Sequence, residues 1–152
     1  VFSSYVLSFV YLGIYWNNHH HMLHAVERVN GPALWANLHL LFWLSLVPFV
    51  TGWMGENEYA AVPTAVYGLV LLFAGCAYFI LQRTLIALEG SDSALARAVG
   101  KDWKGKASVL IYAVAVVLAF QGLRWPALAL YVLVALIWIL PDRRIERTLA
   151  GS

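Results

Sequence analysis

Charge is what this sequence has least of. Only 12% of its 152 residues are Asp, Glu, Lys or Arg, against about 25% in an ordinary soluble domain. Carboxylates are missing from every apolar run, which removes the paired acids needed for general acid–base work in a buried site. Cysteine is nearly absent too. The single Cys76 has no partner for a disulfide and no neighbouring Cys or His for metal or redox chemistry, so it reads as a small packing residue. There is no glycine-rich phosphate loop, and Ser3, Ser4, Ser8 and Ser45 have no base and orienting acid beside them in the pattern of a nucleophile. The formal charge of +2 is spread over loops and the tail without interleaved aromatics, which argues against a nucleic-acid partner. No secretory signal pattern opens the chain.

Apolar sequence fills the rest. Hydrophobic residues make up 62% of the chain and the mean hydropathy is +0.72, values of an integral membrane protein. A spanning helix needs about 20 mostly apolar residues. The chain offers five such runs, at 5–23, 34–53, 60–88, 108–122 and 126–140. The last two are short and read as a helical hairpin. Gly122-Leu123-Arg124-Trp125-Pro126 supplies the break, with the proline suited to a first helical turn, and Pro141 ends the final helix. These features predict an all-α polytopic transmembrane bundle forming one domain over 1–152. The polar stretch 89–106 has two readings: a solvated linker with Trp103 and the lysines at headgroup level, which is preferred, or a short amphipathic helix through Val99 capped by Ser91 or Ser93.

Basic residues orient the bundle. With the spans alternating, Arg28, the cluster Arg83, Arg97, Lys101, Lys104 and Lys106, and the tail residues Arg143, Arg144 and Arg147 fall on one side, leaving Arg124 with Glu56 and Glu58 on the other. The positive-inside rule makes the first side, and the C-terminus, cytoplasmic. Val1 then lies outside. One further upstream helix would return both ends to the cytoplasm, so the expectation is a fragment of a six-span subunit.

Polar residues inside the spans are few, and their cost in a bilayer makes each one a candidate. The densest run is Tyr15-Trp16-Asn17-Asn18-His19-His20-His21. His20 and His24 lie four apart on one helical face, a spacing on which a metal or haem ligand pair can be drawn, but ligands from other helices are lacking. Asn37 and His39 are two apart and so point to different faces. Asn37 is the better partner for His19, because its amide both donates and accepts; it could equally bond a backbone carbonyl. Gly68 and Gly75 share nearly one face and suit close helix packing. Trp35, Trp43, Trp53, Trp125 and Trp138 read as interfacial belts and packing rather than an aromatic box.

Several segments, in order, carry a likeness to a known family: Ser8-Phe9, Tyr15-Trp16-x-x-His19-His20, Leu34-Trp35-Ala36-Asn37-Leu38, Pro48-Phe49, Val66-Tyr67-Gly68 and Ile137-Trp138-x-x-Pro141-Asp142-Arg143-Arg144. Together they resemble the bacterial branch of the endosomal and lysosomal potassium channel family. The resemblance implies a six-helix subunit, homotetrameric, with both termini cytoplasmic. It implies a cation pathway without a TVGYG filter, formed by the first helix through layers of large apolar side chains. In that family an Arg and a Phe-Ser-Asp motif open the first helix and bond to a histidine of the second and an asparagine of the third. Those two positions correspond to His19 and Asn37, with Trp16 as packing support and Ser8 and His20 as further polar contacts. Phe2-Ser3-Ser4 is similar to the motif but lacks the aspartate, and it directly precedes the helix that matches the family's second.

The expected function is passive, potassium-selective conduction by a homo-oligomer in the lipid bilayer, with K+ as the permeant ion, no cofactor and no enzymatic activity. The pore-lining residues are expected on an upstream helix. The alternatives are a structural or assembly protein that does not conduct, and a membrane enzyme holding haem or metal on the histidine cluster.

Overall fold

A computed structural model describes residues 2–24, 26, 28–90, 92–99 and 103–138. The described chain is all helix and turn, in six helices: α1 (Phe2–His24), α2 (Gly31–Glu56), α3 (Ala61–Glu89), α4 (Ala94–Val99), α5 (Trp103–Phe120) and α6 (Arg124–Trp138). Pro141 and the arginine tail lie outside the described residues.

Local chemistry sets the helix ends. Asn30 caps α2, its Oδ1 accepting from the Ala33 N–H at 3.0 Å, with Pro32 in the first turn where its missing N–H costs nothing. Between α2 and α3, Glu58 and Tyr59 both take positive φ, at 54° and 60°. Side chains rarely adopt that region, and here the Tyr59 N–H to Met54 carbonyl bond, at 2.9 Å, closes the helix end around them. Gly122, with φ 81°, makes the tight reversal into α6.

Two expectations are corrected at the other end of the bundle. The 89–106 stretch is not only a solvated linker: Ser93 Oγ accepts from the Ala96 N–H at 3.1 Å and starts α4, whose Leu95 is fully buried. Burying one leucine on a packed cluster is enough to dock a helix of six residues that would not form alone. The last hairpin is also longer than 108–122 suggested, because α5 begins at Trp103.

Among the described residues, α2 and α3 are each long and apolar enough to cross a bilayer on those grounds alone, and α6 is a shorter apolar helix. The outer surface is unlike that of a soluble protein. Phe9 is 69% exposed, Trp35 73%, Phe49 71% and Leu110 66%, an apolar exterior that suits lipid or a neighbouring helix.

The core has two parts. One joins all five long helices around Tyr11, Val50, Leu71, Tyr112 and Tyr131. The other, nearer α4, packs Met22, Leu40, Leu81, Leu85 and Leu95. Polar contacts mark two ends. At one, Arg124 donates to the Glu58 carbonyl at 3.0 Å and the Tyr59 and Trp125 rings meet at 5.9 Å. At the other, Arg28 donates to the Leu88 carbonyl at 3.3 Å and α4 docks on α3.

Candidate functional site

The polar side chains of the second end form a belt linking helices that otherwise meet through apolar groups. His19 Nε2 on α1 lies 2.6 Å from Asn37 Oδ1 on α2. An amide oxygen only accepts, so Nε2 carries the proton and donates. On the adjacent face of α1, Asn18 is 3% exposed, and its Nδ2 donates to the Ile14 carbonyl at 2.9 Å and to the Trp138 carbonyl of α6 at 3.4 Å. Tyr78 on α3 donates to the Asn18 carbonyl at 3.3 Å. Trp138 Nε1 donates to Ser108 Oγ on α5 at 2.7 Å, and that hydroxyl donates to the Lys104 carbonyl at 2.8 Å. Lys104 Nζ sits 5.3 Å from the centre of the Trp138 ring. The belt therefore touches α1, α2, α3, α5 and α6.

The other sequence candidates lie elsewhere. His20 is exposed and belongs to a ladder of stacked rings, 5.4 Å from Trp16 and 6.0 Å from His24, on the outer face of α1. Trp16 is 67% exposed and supports His20 rather than the His19–Asn37 bond. His39 faces away from His19 and accepts from Trp43 Nε1 at 2.9 Å. Ser8 is buried, 5% exposed, away from the His19–Asn37 bond. Among the described residues no three His, Cys, Asp or Glu side chains converge on one point.

Asn18, Tyr78 and Ser108 had no part in the site expected from sequence. Asn18 belongs to the polar run 15–21, and its four-residue spacing from Ile14 allows a carbonyl bond; its role across helices depends on where α6 ends.

Above the belt lies a tyrosine core. Tyr11 donates to the Tyr131 carbonyl, and Tyr131 donates to the Thr64 carbonyl at 2.9 Å. Tyr67 packs edge-on against Tyr131 with ring centres 5.2 Å apart and against Tyr11 at 6.2 Å. Gly68 makes room: a Cβ there would fall 2.1 Å from the Tyr131 hydroxyl and 2.8 Å from Val116 Cγ2. Between the belt and this core is a cavity of about 50 Å³ lined by Tyr11, Tyr15, Asn18, Ser108 and Tyr112 among others, room for roughly three waters.

Comparison with known proteins places this arrangement. The family model described as the endosomal/lysosomal potassium channel TMEM175 matches residues 1–48, the stretch that carries both His19 and Asn37. A protein named as a potassium channel in Chryseobacterium sp. (strain P1-3) is 47% identical over 148 residues, covering 97% of this chain and 77% of that relative. The chain belongs to the TMEM175 potassium channel family. A second relative, named as a potassium channel in Streptomyces collinus (strain DSM 40733 / Tue 365), is 33% identical over 81 residues, 51% of this chain and 39% of the relative. No solved structure gives a significant match. Within the TMEM175 family the apolar exterior and the long helices α2 and α3 are those of an integral membrane protein.

Proposed function

We propose that this chain is the helical scaffold of a potassium-selective channel subunit that conducts passively, as a homotetramer, in a bacterial inner membrane. The carrying observation is the 47% identity along 97% of the chain with a relative named as a potassium channel. Potassium is the permeant species, and neither a cofactor nor a catalytic step takes part.

The geometry supports a division of labour. On α1, Phe2, Tyr5, Phe9 and Trp16 follow a three-and-four-residue rhythm on one face and are 79%, 68%, 69% and 67% exposed. That stripe is the surface on which a conducting helix outside residues 1–152 would seat, and the His19–Asn37 bond fixes α1 to α2 behind it. Large apolar side chains in the conducting helix would gate by excluding water, so a channel of this kind needs few charges in its spans.

Flux from proteoliposomes tests the reading. The complete reading frame should pass potassium faster than sodium, while residues 1–152 alone should give no flux above empty vesicles. Selective flux from residues 1–152 alone would place the pathway within α1–α6 and overturn the division of labour; no flux from either would overturn conduction. The C-terminus is cytoplasmic in this reading. A cysteine placed at Ser152 in a Cys76→Ala background should resist an impermeant thiol reagent in intact cells, and rapid labelling would reverse the topology.

A further inference from the structure

The bundle has a side opening that the conduction reading does not use. Gly75 on α3 and Gly105 on α5 both border the inner cavity and an outer crevice of about 380 Å³. Two helices that present only backbone at the same level leave a gap where side chains would otherwise interlock. The crevice walls are apolar: Cys76, Phe79, Ile80 and Val109 flank it, and Trp138 forms its floor. Phe79 and Ile80 are 37% and 46% exposed, so the opening faces outward.

Its rim is basic. Lys106 lines the crevice directly, Lys104 Nζ lies over the floor ring Trp138 at 5.3 Å, and the Arg83 guanidinium sits 5.0 Å over the wall ring Phe79. Among the described residues, no acidic side chain lines the opening. These cations lie at the end of the bundle where α4 docks, as expected for side chains that stack on apolar walls and reach for headgroups.

We infer that the α3–α5 crevice is a binding site for an anionic glycerophospholipid, one acyl chain lying against Phe79, Ile80 and Val109 and the phosphate held by Lys106, Lys104 and Arg83. An apolar slot open to the bilayer takes a hydrocarbon tail. Three cations at its rim, with no acidic lining residue among the described residues, favour a negative headgroup over a zwitterionic one. The proposal rests on the chain spanning a membrane, not on conduction, and its test is independent of ion flux.

Cys76 is the chain's one cysteine and lies in the crevice wall, so its alkylation rate reports occupancy. In delipidated protein held in detergent, N-ethylmaleimide should modify Cys76 readily. Dioleoylphosphatidylglycerol should slow the reaction at much lower concentration than dioleoylphosphatidylcholine. The changes Lys104→Gln and Lys106→Gln should each raise the phosphatidylglycerol concentration for half-protection by about fivefold. Unchanged melting of both variants would show that the fold survives. Equal protection by the two lipids, or none by either, would overturn the proposal. So would a Cys76 already unreactive without lipid, which would mean that a second copy or another helix covers the crevice.

Discussion

The tyrosine core and the polar belt hold the same helices together by opposite means. In the core, α3 and α6 approach until only a glycine fits: the Tyr131 hydroxyl occupies the space a Gly68 side chain would need. At the belt, α1 and α2 are joined by one side-chain bond, His19 to Asn37 at 2.6 Å, beside side chains that are widely exposed. Close packing loses heavily from a single added carbon, because neighbouring atoms have nowhere to go. A hydrogen bond between helices in a membrane contributes modestly, since a separated helix also finds partners. The core therefore fixes the bundle, and the belt sets how α1 and α2 are aligned beside the proposed seat of a conducting helix.

The sharpest way to break this contrast is Gly68→Ala. Overpacking should cost about 1–3 kcal/mol, of which the better helix propensity of alanine recovers roughly 0.5–1. Thermal unfolding in detergent should show a clear net loss. An unchanged midpoint would mean that Tyr131 does not occupy that seat.

The belt should respond less, and as a coupled pair. His19→Ala and Asn37→Ala should each cost roughly 0.6–2 kcal/mol, and the double variant less than their sum. Strict additivity of the measured losses would separate the two residues. An effect near the lower end of that range, about 0.5–1 kcal/mol, is expected from Trp138→Phe, because Ser108 Oγ loses the indole donor at 2.7 Å but keeps the Lys104 carbonyl at 2.8 Å.

Gly75→Ala is the control with the least effect. Its Cβ would meet only the Tyr15 hydroxyl at 3.8 Å and a Tyr112 ring carbon at 4.0 Å, so stability should stay within about 0.5 kcal/mol or rise slightly. A loss as large as that of Gly68→Ala would show that the two glycines do the same work, and the comparison would fail.

Part of this was legible in the chain. Low charge and unbroken apolar runs demand helices that satisfy their own backbone, because lipid offers no hydrogen bonds. Gly122 before a hairpin helix marks a break by local chemistry that no tertiary contact has to supply, whereas the Asn30 cap three residues ahead of Ala33 emerges only in the structure. The two-residue spacing of Asn37 and His39 separated their faces, and the structure turns Asn37 to His19 and His39 to Trp43.

The rest depends on which surfaces meet. Alternative readings of 89–106 could not be resolved by composition, since α4 is held by the burial of Leu95 against residues from other helices. The outward position of Trp16 and His20, the reach of Asn18 to the Trp138 carbonyl, and the seat of Tyr131 over Gly68 each join residues far apart in sequence. Sequence determined that these helices form, where most of them end and which faces carry polar groups, because those follow from hydrogen bonding and spacing within one helix. Only the tertiary structure decided which faces touch, because close packing depends on the shapes of both partners at once.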